Sequence, residues 1–311
     1  MKHKPYRYLL YLGLRGVQGL VAWLPRNLSL LVARELGRVA FLIARRERAK
    51  TLLHLQWAYG EEKSPEELRK LGQQVFIHFA QVAVDVLRFP QWNREELDRL
   101  IDKGNAFSVL DKVLSRGQGA VLLTAHLGNW ELMGAFLKLS GYEGALVGRQ
   151  IYYEKFNELL VDLRRQVGLR TIYQEAPVRE CLKVLNQNGV LGILADQDVD
   201  RLDGIFVPFF GRLAYTLTSP VKLALATGAP LVPLFLVRDG LRYRLLAEEP
   251  IQVQRRGNRD ETIQEYTTHW SQVIEEKIRA YPDQWVWMHR RWKTAATSAG
   301  VPPTPVSAKA A

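Results

Sequence analysis

His126 and Glu131 lie five positions apart in the stretch LLTAHLGNWELMGAF (122–136), and an imidazole with a carboxylate at that spacing could do general-base chemistry. The apolar run before His126 reads as a buried strand, and Glu131 falls in the opening turn of the helix that follows. A tight Gly128-Asn129 corner then brings the two groups within hydrogen-bonding reach, where the carboxylate would fix the imidazole tautomer and stabilise the imidazolium. Exposed backbone N–H groups at the same corner would supply an oxyanion site. The bland alternative is a satisfied turn histidine and a glutamate that complements the helix dipole. Spacing alone leaves the two level.

Three further segments could join this turn. GALVGR is a strand ending at Arg149, and VLGILADQD a strand ending at Asp196, Gln197 and Asp198. Arg149 alone reads as a surface ion-pair partner. The alternation of Asp196, Asp198 and Asp200 invites a calcium loop, but an EF-hand would need glycine where Arg201 stands and glutamate where Val207 stands, so no metal site is expected. The segment WVWMHRRWK (285–293) interleaves tryptophans with His289, Arg290, Arg291 and Lys293. No nucleic-acid motif accompanies it, so membrane or donor contact is the better use than base stacking. SRGQGA (115–120) precedes a strand rather than following one and is no dinucleotide fingerprint. Cys181 sits in a predicted helix with no cue for activation, and no G-x-S-x-G elbow exists.

The elements that must position these residues alternate. Ser64 and Pro65 open a helix, and GAVLLTAH is a strand. Asn129 caps the helix WELMGAFLKLS, and helices are expected over 153–167, 178–188, 217–227 and 260–280. LRTIY, PLVPLFLVR and YRLLAEEPI read as strands. Such alternation predicts an α/β fold with a mainly parallel central sheet covered by helices on both faces. Ligands in such sheets gather at the carboxyl ends of strands, where His126, Arg149 and Asp196 all fall. The 311 residues suffice for one large core with additions, and a single cysteine cannot close an intrachain disulfide.

Charge is concentrated at the amino terminus, which holds eleven of the Lys and Arg residues in positions 1–50 against Glu35 and Glu47, nine of the formal +11. The same region carries two apolar stretches of helical period, 6–25 and 28–50, each interrupted by arginine. A central arginine costs a spanning helix about 2.5–3.5 kcal/mol, and Arg15 sits near the middle of the first stretch. Hydrophobic helices lying in an anionic leaflet therefore fit better than a span, with core-covering helices as the alternative. The expected division is membrane-anchoring helices over 1–50, an α/β domain over 51–293 and a disordered tail over 294–311.

TAHLGNWE resembles the His-x4-Asp/Glu block of the bacterial lipid A late acyltransferase family, which takes in phosphatidylinositol mannoside acyltransferases, within the glycerolipid acyltransferase class. Four more blocks agree in order: Gly148-Arg149, LADQD at 194–198, GIFVPFFGR at 204–212 and DQWVWMHRRWK at 283–293. The resemblance implies an acyltransferase in which His126 is the general base and Glu131 its partner. Gly128, Asn129, Arg149, Asp196, Gln197, Asp198, Phe206, Pro208 and Arg290 then contact substrate, with Arg149 binding an anion near the acceptor headgroup. It further implies transfer from acyl carrier protein or acyl-CoA to a glycolipid hydroxyl on the cytoplasmic face of the inner membrane, with no cofactor, no nucleic acid and no acyl-enzyme. A non-catalytic protein of the same fold, holding anionic lipid through Arg149 and the basic amino terminus, is the rival; it has no need of an intact His126/Glu131 pair.

Overall fold

The computed structural model describes residues 5–151, 153–199 and 201–295. Four helices come first: α1 (Pro5–Trp23), α2 (Arg26–Ile43), α3 (Arg45–Tyr59) and α4 (Pro65–Leu87). Pro25 separates the first two, since it cannot continue a helix but can precede one. Ser64 caps α4 in a reciprocal capping box with Glu67, and Pro65 occupies the first turn, as the sequence predicts. On α2 one face, Leu30, Ala33, Gly37 and Phe41, is buried. It packs so closely on α4 that a Cβ on Gly37 would stand 2.6 Å from the Ile77 Cα.

The chain continues through α5 (Arg94–Leu100), β1 (Ile101–Asp102), α6 (Ala106–Leu114), β2 (Ala120–Thr124), α7 (Trp130–Leu139), β3 (Gly144–Gly148), α8 (Glu154–Gln166) and β4 (Arg170–Tyr173). It then forms α9 (Arg179–Asn186), β5 (Val190–Leu194), β6 (Gly204–Phe209), β7 (Arg212–Leu217), α10 (Ser219–Thr227), β8 (Leu231–Asp239), β9 (Arg242–Ala247) and α11 (Arg259–Ala280). Seven strands make one sheet in the order β1-β9-β8-β2-β5-β3-β4. Only β8 and β9 run antiparallel to each other; every other pairing in it is parallel. Every residue of β2 is buried, which explains why it reads as a continuous apolar run rather than an alternating one. Helices cover both faces: α11, α10 and α3 pack over Leu123, Leu191 and Ile193, and α7, α6 and α8 over Leu122, Val190 and Val232.

The structure departs from expectation in particular places. The stretch read as one helix over 28–50 breaks at Ala44, and α3 carries on through residue 50 to Tyr59, packing Leu55 and Tyr59 into the main core. The segment 204–217, where the sequence alternation predicts no strand, is a β6–β7 hairpin in full antiparallel register. Its alternation is hidden by the aromatic run and by Phe210, which turns the chain at φ 49°. Thr294, placed by the sequence in a disordered tail, is fixed: its N–H and its hydroxyl each donate to the Asp198 carboxylate at 2.7 Å. Residues 296–311 of that expected tail lie outside the described residues.

Among the described residues no helix is long and apolar enough to cross a membrane. Helices α1 and α2 nevertheless leave a broad apolar surface uncovered. It includes Leu9, Leu12, Val17, Leu20 and Trp23 on α1, and Leu28, Leu31, Val32, Leu36, Val39 and Ile43 on α2, with Trp23 81% and Ile43 73% exposed. Arg15 and Arg34 on the same helices, and Arg45 and Arg46 in the first turn of α3, are exposed.

Candidate active site

Strands β2, β5 and β3 are neighbours in the sheet and run the same way, so their carboxyl ends form one rim. His126 stands just past β2, Asp196 just past β5 and Arg149 just past β3. The strand-end expectation therefore holds at the level of the backbone.

The turn from β2 to α7 is held from several sides. Asn129 Oδ1 accepts from Leu132 N–H, which caps α7. Gly128 has φ 64°, and a Cβ there would collide with the Leu236 carbonyl, so only glycine fits the close approach to β8. The N–H of Gly128 donates to Gln284 O at 3.0 Å and that of Asn129 to Leu236 O at 2.8 Å. These two groups, expected as oxyanion donors, are spent on anchoring the turn. From α4, His78 Nε2 donates to Gly128 O at 3.1 Å; burial pushes this imidazole down to about 3, so it is neutral. A wholly buried Asp85 on α4 collects Arg26 Nε at 2.8 Å, Arg238 at 2.9 Å and the Tyr243 hydroxyl at 2.5 Å. Asn129 Nδ2 donates to that Tyr243 oxygen at 3.2 Å. One polar network thus ties the start of α2 to the turn.

The expected hydrogen bond between His126 and Glu131 is not formed. His126 is bound instead to Asp196: the ring Nδ1 lies 2.8 Å from Oδ1, and the backbone N–H donates to Oδ2 at 2.8 Å. Trp285 Nε1 donates to Oδ2 as well, at 2.8 Å. Asp196 is 2% exposed, and desolvation alone would raise its pKa. The facing imidazole and the three donors outweigh burial and hold it down at about 2. The stabilisation this brings is complete above its ordinary value of 3.8 and is lost only as pH falls from there through about 2. A carboxylate can only accept, so the His126 proton facing it resides on Nδ1, and Nε2 carries the free lone pair.

Glu131 points elsewhere. Its carboxylate takes a two-pronged contact from Arg164 on α8, Nε to Oε2 at 2.8 Å and Nη2 to Oε1 at 2.5 Å, both residues being buried. Trp130 Nε1 also donates to Oε1 at 3.1 Å. Since the Trp130 ring lies edge-on to the His126 ring at 4.9 Å between centroids, Glu131 reaches the imidazole only through that indole. The physical reason is helical direction. Residue 131 is on the side of α7 that faces α8, while the turn aims residue 126 across the rim toward β5.

Other expected residues are placed as follows. Gln197 lies against His126, its amide nitrogen 2.9 Å from Nε2 and 3.2 Å from Nδ1. An in-plane position nearly equidistant from both nitrogens would collide with the carbon between them, so the amide lies over the ring face. Asp198 faces away, clamping Thr294. Arg149 is exposed at the rim, with no ion pair among the described residues. Phe206 packs on Tyr215 across the hairpin, and Pro208 is exposed. Neither touches the dyad; the buried hairpin face is Val207 and Phe209, with Phe209 against Trp285. Arg290 is exposed, whereas Arg291 is the buried cation of its segment, binding Tyr215 O and Thr216 Oγ1 and stacking on Phe209.

Sequence reasoning misses the donors on helices and in the late segment. Trp285 and His289, whose ring stacks on that of His126 at 5.8 Å, come from a run that reads only as basic and aromatic. His54 Nδ1 meets Trp287 O at 2.7 Å, fixing that run from α3. No spacing rule links residues so far apart. Cys181 lines an apolar cavity of about 450 Å³ between α9, α10 and the ends of β3, β4 and β5; its thiol is pushed up by burial, which disfavours the thiolate. A narrower cavity of about 60 Å³, bordered by Thr124, Trp130, Gly134, Leu146 and Gly192, runs under α7.

A family model described as bacterial lipid A biosynthesis acyltransferase matches residues 2–294. The chain is 31% identical over 154 residues to a phosphatidylinositol mannoside acyltransferase of Mycobacterium tuberculosis (strain ATCC 25618 / H37Rv), covering 48% of each chain. It therefore spans about half the length of that relative. It is 28% identical over 300 residues to the lipid A biosynthesis lauroyltransferase of Escherichia coli (strain K12), covering 93% of each. Among solved structures, the 1-acyl-sn-glycerophosphate acyltransferase of Thermotoga maritima matches with 14% identity and a TM-score of 0.33, over 77% of this chain and 99% of that one.

Proposed function

The chain belongs to the bacterial lipid A biosynthesis acyltransferase family, and from that premise we propose that it moves a fatty acyl chain from an acyl thioester to a hydroxyl of a lipid A precursor or related glycolipid, as in lipopolysaccharide biosynthesis. The observation that carries this reading is the His126–Asp196 pair at the sheet rim, with Nδ1 held by a buried carboxylate.

In this mechanism Nε2 takes the proton of the acceptor hydroxyl while the hydroxyl oxygen bonds to the thioester carbonyl carbon. The carbonyl pair moves onto oxygen, and Asp196 stabilises the resulting imidazolium. Collapse breaks the C–S bond, and the leaving thiolate recovers the proton from Nε2. No enzyme nucleophile is needed, in keeping with a Cys181 thiol that burial disfavours as thiolate. Glu131 acts as a positioning residue through Trp130. The donor is acyl carrier protein or acyl-CoA, and Arg149, exposed at the rim with no ion pair among the described residues, is suited to an anionic headgroup. A phosphatidylinositol-mannoside-like acceptor is the second reading, favoured by the 31% identity to the mycobacterial relative.

Lipid mass spectrometry of cells with and without the gene, and with His126→Ala restored in its place, tests this. The expected result is one glycolipid species lighter by an acyl chain in both the deletion and the His126→Ala strain. An unchanged lipid profile in both would sink the enzymatic reading.

The exposed apolar face of α1 and α2, flanked by arginines, supports seating on the anionic inner-membrane surface at its cytoplasmic side. Each buried apolar side chain is worth about 1.5–3 kcal/mol, so Leu31→Asp with Ile43→Asp should lower partition into anionic phospholipid vesicles by more than about tenfold. High salt should weaken the wild-type association. Co-sedimentation unaffected by both changes would refute this seating.

A further inference from the structure

We propose that the Gln197 carboxamide is the side-chain donor to the oxyanion of the tetrahedral intermediate, an assignment that rests on acyl transfer occurring at His126. The turn beside the base has no surplus of donors where one would look first. The N–H groups of His126, Gly128 and Asn129 are bonded to Asp196, Gln284 and Leu236 respectively. The usual strategy of a backbone oxyanion hole in the loop that carries the base is thus closed at these three positions.

Gln197 is placed to take over. It follows Asp196 directly, so the residue that fixes the imidazole also fixes where the amide starts. The amide nitrogen lies 2.9 Å from Nε2, over the ring face. There it blocks neither the in-plane lone pair of Nε2 nor the path of a hydroxyl approaching it. An alcohol delivering its proton to Nε2 stands at hydrogen-bonding distance from that atom, and the carbonyl it attacks is one bond further. The carbonyl oxygen then falls within reach of an amide nitrogen anchored beside the same Nε2. Among the described residues its two N–H groups meet only the imidazole, and a ring face is a weak acceptor. They become well used when negative charge develops on the carbonyl oxygen, which is a gain made in the transition state rather than in the ground state.

The test compares wild type with Gln197→Met, which keeps length and removes the donor. Donors are dodecanoyl-CoA and dodecanoyl-acyl carrier protein, and acceptors are a tetra-acylated lipid A precursor and a phosphatidylinositol mannoside. Binding is read with the thioether analogue of dodecanoyl-CoA. The expected result is a fall of roughly 10²–10³-fold in kcat, with KM, thioether affinity and the acid limb of the pH profile unmoved. Gln197→Glu, which replaces the donor by an acceptor, should show the same loss in kcat and serves where the methionine variant does not fold. A kcat within a few-fold of wild type in a folded variant overturns the proposal and moves the donor to the first turn of α7 or to His289. A loss confined to KM or thioether affinity also overturns it. Wild type inactive on every pair, with lipids unchanged by gene deletion, overturns the acyltransferase reading and this one with it. Where wild type is active and His126→Ala is not, the acyltransferase reading stands and the kcat of the Gln197 variants alone decides the donor.

Discussion

Asp196→Asn should lower kcat by roughly 10³–10⁴-fold while leaving the protein folded, the size of loss expected when a base histidine keeps its geometry but loses the carboxylate that sets its tautomer. An asparagine of the same shape can present its amide N–H to Nδ1. The imidazole would then carry its proton on Nε2, the atom that must accept one. It would also lose a buried negative charge that is ionised at any pH above about 2, leaving the imidazolium of the transition state uncompensated. Steady-state kinetics with NMR of the His126 ring checks both halves. Retained turnover with the Nδ1-protonated tautomer would remove Asp196 from the mechanism. The Trp285 indole, which donates to the same carboxylate, should tolerate Phe with a smaller loss, because it orients Asp196 without touching the imidazole.

Glu131→Ala should act on the fold. It strips Arg164 of its carboxylate in a site where both residues are nearly buried, and breaking such a pair costs about 3–5 kcal/mol. Glu131→Leu combined with Arg164→Met should recover much of that stability, since no unpaired buried charge remains. Denaturant midpoints read this, and turnover per folded molecule separates it from chemistry. Were Glu131 the partner of His126, the double variant would be stable and inactive to the same degree as Asp196→Asn. On the present geometry it keeps substantially more activity, limited by how well Trp130 stays seated on the His126 ring.

The contrast between these two acidic residues shows where reading along the chain stops. The apolar run of β2, the cap at Asn129 and the strand-helix alternation are legible because they depend on neighbours within a turn or two. So is the convergence of strand ends at the rim, which follows from parallel connectivity. The histidine itself is marked by its place after a buried strand. Its partner is not legible, because proximity in sequence points to the wrong carboxylate. Residue 131 is five positions away, but α7 turns it toward α8, while residue 196 is brought across by the pairing of β2 with β5, Thr124 beside Leu194.

What the chain by itself determined is therefore the α/β layering, the basic apolar amino terminus and the place of His126 just past a buried strand, all of them consequences of local period and composition. The tertiary structure alone decided which carboxylate serves the imidazole, which backbone N–H groups are already consumed, and that Arg291 rather than Arg290 is buried. The physical reason is that hydrogen bonds between the ends of different strands depend on sheet register and on helix facing. Those are settled when both faces of the sheet pack their cores, and no spacing between residues in one segment records them.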